Sequence, residues 1–200
     1  MRLLSTLVLS FACVFGAFAQ DADESYTSDE VFQDTVLNIT NTYRDWYNAT
    51  ALEWNDTLAE AAERAVDDCI FQHSGQEYGE NLAAGYPNVT AAITGWKDEV
   101  DDYDYGDPDF STETGHFTQL VWQNATQVGC ARKECGGKDE APGWFIACEY
   151  SPHGNVLGEF GDNVDEQVRG PGSGAVRPEA WMAGLVGMWL VVAVTGEMVW

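Results

Sequence analysis

Four cysteines, Cys69, Cys130, Cys135 and Cys148, constrain the fold of this 200-residue chain more than any other feature. A fifth, Cys13, belongs to an apolar start. Arg2 supplies a positive charge, Leu3 to Phe18 are largely apolar, and Ala17-Phe18-Ala19 forms a small-x-small cleavage site before Gln20. Residues 1–19 therefore read as a signal peptide, and the even number of cysteines left in an oxidising compartment implies two bridges. Cys130 and Cys135 lie five apart, so on one regular strand they face opposite sides and need different partners. Cys148, on the next strand-like run, is placed to meet Cys130 across a hairpin, which leaves Cys69 for Cys135. The absence of any C-x-x-C pair argues against a zinc site built from these cysteines.

The formal charge is -24, from 33 acidic against 9 basic residues. That charge excludes nucleic acid as a partner and direct adsorption to anionic membranes, since both repel it. It reads as a solvated acidic coat, with cations or basic partners as the alternative. Sequons at Asn38, Asn48, Asn55, Asn88 and Asn124 fit a glycosylated exterior. Residues 181–200 form a hydrophobic tail with no basic cytoplasmic flank to hold a membrane span. Preceded by the small residues around Gly172 and Ser173, the tail reads as a glycosylphosphatidylinositol signal attached at one of those two positions. A C-terminal membrane helix is the alternative. The expected location is extracellular: secreted, or held at the cell surface or wall.

Between these ends the pattern predicts an α+β fold. Residues 20–29 read as a flexible acidic leader, residues 30–160 as the folded domain, and residues 161–180 as a Gly/Pro-containing stalk. A capping box at Thr27 and Glu30 opens a first helix carrying Val31, Thr35, Ile39, Tyr43 and Trp46. A second helix runs from Asn55 or Asp56 to Cys69 or Ile70. A third starts at Asn88, with Val89, Ile93, Trp96 and Val100 on its apolar face and Glu99 at the border of that stripe. After a loop rich in Asp, Tyr and Gly come a short helix near 116–122 and strands near 128–133 and 144–149.

The segments most able to carry chemistry are Cys69-Ile70-Phe71-Gln72-His73-Ser74, Gly79-Glu80-Asn81-Leu82-Ala83, Trp96-x-x-Glu99 and Gly115-His116-Phe117-Thr118-Gln119-Leu120-Val121-Trp122. His73 and His116, with His153, are the chain's three histidines. These segments, followed by Gly129-Cys130-Ala131, Cys148-Glu149-Tyr150-Ser151-Pro152, Gly154-Asn155 and Gly158-Glu159, resemble the CAP superfamily in family order. That superfamily (the SCP domain) comprises cysteine-rich secretory, antigen five and pathogenesis-related proteins. In character the chain is similar to the fungal pathogenesis-related members that bind sterols.

The resemblance implies an α-β-α sandwich with a central antiparallel sheet. It also implies the bridges Cys69–Cys135 and Cys130–Cys148, and a His-Glu-Glu-His cleft tetrad on His73, Glu80, Glu99 and His116. The additional central bridge of plant members has no cysteines here. Two imidazoles and two carboxylates suit a weakly held divalent ion, Zn or Mg, or else lock the cleft by charge-assisted hydrogen bonds. Tyr103, Tyr105, Pro108 and Phe110 form an aromatic loop, which either caps the core or opens on a lipid. Family members in yeasts and plants bind sterols through a loop in this region, and some bind fatty acids in a separate groove. The leading expectation is thus a sterol- or fatty-acid-like ligand, in lipid export or defence. The alternatives are an extracellular protein that captures wall or protein partners and, with the thinnest case, a metal-dependent hydrolase. Ser74 beside His73 is only a sequence neighbour, and no oxyanion hole is legible.

Overall fold

The strand pair that carries two of the cysteines is the centre of the molecule. The computed structural model describes residues 22–137 and 141–172. Its elements in chain order are α1 (Glu24–Thr27), α2 (Asp29–Trp46), β1 (Glu53–Trp54), α3 (Asp56–Val66), β2 (Gly79–Ala84) and α4 (Val89–Asp98). A 3-10 turn (Glu99–Asp102) follows, then α5 (Gly115–Val121), β3 (Gln127–Glu134), β4 (Trp144–Ser151) and α6 (Phe160–Asn163). The sheet order is β1-β3-β4-β2. β3 and β4 pair antiparallel, as do β4 and β2; the two-residue β1 adds parallel to β3, a departure from a wholly antiparallel sheet.

Strand alternation divides the sheet into two faces. Val128, Cys130, Ile146, Cys148 and Tyr150 point into the larger core, with Val36, Ile93, Trp96, Phe117 and Leu120 from α2, α4 and α5. Leu82, Ala131, Phe145 and Ala147 point the other way, under Ala62 and Val66 of α3. Helices therefore cover both faces, in an α-β-α sandwich. The α3 layer sits unusually close because Gly129 has no side chain: a Cβ there would fall 2.2 Å from the Ala59 nitrogen. Both bridges form, Cys130–Cys148 directly across the β3–β4 ladder and Cys69–Cys135 from the end of α3 to the end of β3. The second closes a loop of 66 residues, for which chain entropy gives about 4 kcal/mol.

Arg44, fully buried, fixes the helical layer. Its guanidinium donates to the carbonyls of Thr50 (2.7 Å), Leu120 (3.0 Å), Trp122 (2.9 Å) and Ala125 (2.9 Å). It thereby ties the end of α2 to the segment that leaves α5. Burial draws its pKa down to about 10, so it stays charged at neutral pH.

Several sequence expectations need correction. Residues 24–27 of the supposed flexible leader are helical, and Tyr26 is buried, its ring stacked on Trp144 at 4.9 Å. Thr27 accordingly ends α1, and Ser28 rather than Thr27 caps α2 by accepting from the Val31 N–H. α3 ends at Val66, and Cys69 takes a left-handed φ of 58°, so it is not helical. The folded domain also runs past residue 160 into the supposed stalk. Phe160 packs edge-on to Trp122 at 5.1 Å, the Val168 N–H donates to the Trp46 carbonyl, and a Cβ on Gly170 would strike the Trp46 ring at 2.4 Å. The strands at 53–54 and 79–84 had no expectation, being too short or too small-residue-rich to show alternation.

The signal peptide, Ser173 and the hydrophobic tail lie outside the described residues. Among the described residues no helix is long and apolar enough to cross a membrane.

Candidate functional site

β2 is an edge strand, and its first residues open onto a cleft of about 400 Å³ lined by His73, Glu80, Phe110, His116, Gln119 and His153, among others. Two His–Glu pairs build it. In the first, His73 comes from the loop that Cys69–Cys135 anchors, and Glu80 from β2. The His73 Nδ1 lies 2.7 Å from the Glu80 Oε1, and the Ser74 N–H donates to the same oxygen at 3.0 Å. In the second, Glu99 opens the 3-10 turn after α4 instead of continuing that helix. Its Oε1 lies 2.5 Å from the His116 Nδ1, and its Oε2 accepts the backbone N–H groups of His116 (2.9 Å) and Phe117 (3.1 Å). The carboxylate thus satisfies the first donors of α5 while fixing the imidazole. The His116 ring also stacks on Trp96, with centroids 6.2 Å apart.

The expected tetrad is therefore brought together as two pairs, and its members differ in position. His73, Glu80 and His116 line the cleft, whereas Glu99 stands behind His116.

Sequence reasoning gave Glu149 no role. It is fully buried and stands directly across from Glu80 in the β2–β4 register, on the face covered by α3. The Gln76 amide donates to its Oε1 at 3.2 Å, and its Oε2 has no partner in standard geometry. Burial, reinforced by the neighbouring Glu80, pushes the Glu149 carboxyl up to about 9. Burial alone would raise Glu80 too, but hydrogen bonds from His73, Ser74 and Glu149 outweigh it and hold Glu80 down to about 2. Two adjacent carboxyls cannot both ionise in so dry a place, so the proton stays on Glu149 and its O–H is directed to Glu80. The hydrogen bond to Glu80 in turn raises the pKa of His73. A signal existed: Glu149 is the one acid within the otherwise apolar run Phe145 to Tyr150.

Gln119 was also missed. Its Oε1 accepts from the Gly154 N–H at 2.9 Å, and its Nε2, on a side chain only 1% exposed, has no partner. Glycine at position 79 is required there, since a Cβ would lie 2.0 Å from the Gln119 Oε1.

The aromatic loop splits. Tyr103 is buried and packs edge-on to Tyr105 (4.8 Å) and Phe117 (5.8 Å), so these two tyrosines cap the core rather than form a ligand mouth. Pro108 lies toward Gly161. Only Phe110 reaches the cleft, on its rim and 48% exposed. Of the sequons, Asn38, Asn48 and Asn124 are exposed, while Asn55 and Asn88 are partly buried, their side chains capping α3 and α4. Among the described residues no three His, Cys, Asp or Glu side chains already converge as a metal site.

Comparison with known proteins places this geometry. The model of the CAP, or cysteine-rich secretory protein, family matches residues 37–150. Protein PRY2 of Saccharomyces cerevisiae is 46% identical over 138 residues, covering 66% of this chain and 41% of that protein. Pathogenesis-related protein 1A1 of Solanum lycopersicum is 36% identical over 144 residues, covering 68% of this chain and 79% of the tomato protein. Among solved structures, Schistosoma mansoni venom allergen-like protein 4 shares the fold. Its TM-score is 0.52 at 23% identity, over 62% of this chain and 88% of that one. The chain spans 41% of the length of the yeast protein and 53% of that of Repressed by EFG1 protein 1 of Candida albicans.

Proposed function

This chain belongs to the CAP family of cysteine-rich secretory proteins, and on that premise we propose that it binds a sterol or related small lipid outside the cell. The observation that carries this reading is Phe110, a large aromatic left half-exposed on the rim of a polar cleft while Tyr103 of the same loop is buried and Tyr105 partly buried against the core. An exposed aromatic beside convergent polar groups suits an amphipathic ligand: the ring covers the apolar body, and the His/Glu cleft receives the polar end. The cleft volume of about 400 Å³ falls in the range of small-ligand sites. The signal-peptide pattern of residues 1–19, the two disulfides and the sequons support an extracellular setting, where lipid export or defence are the roles the reading implies.

The test is saturable binding of radiolabelled cholesterol to the purified protein. Phe110→Ala is expected to weaken binding at least tenfold and to leave the thermal midpoint within a few degrees of wild type. No saturable binding, or identical binding by the variant, would sink the reading.

A further inference from the structure

Outside the cleft, an open groove of about 260 Å³ runs between α2 and α4, lined by Thr35, Asn38, Ile39, Thr42 and Thr90. Helical spacing puts the first four on one face of α2, and Thr90 from the first turn of α4 forms the other wall. Nearby, a hydrogen bond of 2.7 Å between the Tyr43 and Thr94 hydroxyls fixes the two helices against each other. Ile39 is the one apolar side chain of the lining; the other four carry hydrogen-bonding heads. Among the described residues the hydroxyls of Thr35 and Thr90 meet no partner. The Thr42 hydroxyl donates to the Asn38 carbonyl at 2.7 Å and keeps its own lone pairs free. The groove is smaller than the roughly 300–1,000 Å³ of small-molecule sites, and its lining is too polar to hold a fatty chain. One lining residue, Asn38, opens the sequon Asn38-Ile39-Thr40 and is exposed. Two other sequon amides are tied into the fold: the Asn48 Nδ2 donates to Asp165 (3.1 Å) and the Asn55 Nδ2 to Gln127 (2.9 Å). No such bond engages the Asn38 Nδ2 among the described residues.

We propose that Asn38 carries an N-linked glycan and that the α2–α4 groove is the cradle of its first N-acetylglucosamine. The bond forms between the Asn38 Nδ2 and the anomeric carbon of a lipid-diphosphate-linked oligosaccharide; the lipid diphosphate leaves, and Nδ2 gives up one of its two protons. The threonine hydroxyls each donate and accept, which matches the mixed donors and acceptors of a sugar, and Ile39 receives the acetamide methyl. Contacts this few would not hold a free sugar. A covalent tether changes that, because the sugar is then presented to the groove at a high effective concentration. The junction of α2 and α4 is thereby covered by a hydrated group of the chain's own and closed to other ligands. This inference stands apart from lipid binding in the cleft and does not need it.

Three measurements on the protein secreted from a yeast host decide the matter. Glycopeptide mass spectrometry is expected to find Asn38 occupied in most molecules. Carbon-13 spectra of the glycoprotein are expected to show nuclear Overhauser contacts from the acetyl methyl of the first sugar at Asn38 to the methyl groups of Thr35, Ile39 and Thr90. Endoglycosidase H should cut the Asn38 glycan severalfold more slowly in the native protein than in the denatured one. Thr35→Ala with Thr42→Ala, which leaves every sequon intact, should remove that protection. An unoccupied Asn38 overturns the proposal. So does an occupied Asn38 whose first sugar shows no contact with the groove, or cleavage equally fast in native and denatured protein. Protection that the double variant leaves unchanged overturns it as well. If the variant folds poorly, the wild-type contacts decide alone.

Discussion

Arg44 and Glu149 are both ionisable and both fully shut away from solvent, yet their surroundings have opposite character. The Arg44 guanidinium meets four backbone carbonyls with good geometry and remains charged. Glu149 meets one amide donor and another acid, and remains neutral by keeping its proton. The first arrangement is closed: every donor it uses finishes a backbone acceptor at the end of α5 or in the loops that follow α2 and α5. The second is open-ended, because Glu149 serves a neighbour, Glu80, whose own carboxylate faces the cleft. Satisfied burial marks scaffold here, and strained polar burial marks the site.

The comparison breaks most sharply at Arg44. Replacing it with Met keeps much of the volume but orphans the carbonyls of Thr50, Leu120, Trp122 and Ala125, at a cost of about 4 kcal/mol. Urea unfolding should show that loss at every pH from 5 to 8. A loss below about 1 kcal/mol would mean that the cradle is not what holds the helical layer.

Glu149→Gln should be smaller and, unlike Arg44→Met, dependent on pH. In the folded protein Glu149 keeps its proton to about 9, against an ordinary value of 4.5. The folded state therefore binds more protons between those values. Its contribution is fully present below 4.5 and is lost as pH rises toward 9. The raised His73 adds a loss in the same direction. Glu80 acts oppositely, contributing above 4.5 and losing that contribution as pH falls through about 2, outside this range. Wild type should accordingly lose stability steadily as pH rises from 5 to 8. Glu149→Gln, which cannot ionise but can still donate to Glu80, should lose less than half as much. Equal slopes in the two proteins would contradict the shared-proton arrangement.

The helices of the larger core were legible because Val89, Ile93 and Trp96 recur at helical spacing, and all three are buried. The two bridges were legible because strand alternation separates Cys130 from Cys135. The tetrad positions came from family resemblance, and local pattern alone would not have joined residues 73 and 116. What stayed hidden depends on register. Nothing local says that Glu80 faces Glu149, or that Gly79 leaves room for Gln119, until β2 is laid beside β4 and under α5. The aromatic loop misled for a related reason. Tyr103, Tyr105 and Phe110 have the same side-chain character, and only the fold sends two inward and leaves the third on the rim.

The central claim is that ligand binding belongs to the open region around Phe110 and the His–Glu pairs, and not to the closed interior around Arg44. Nitrogen-15 spectra of the protein titrated with cholesterol carried by cyclodextrin test it directly. Saturable shifts are expected at Phe110, Gly115, His116 and Gly154, with the backbone of Arg44, Leu120 and Ala125 unmoved. Shifts centred on the Arg44 cluster, or no saturable shift at the cleft, would contradict the account.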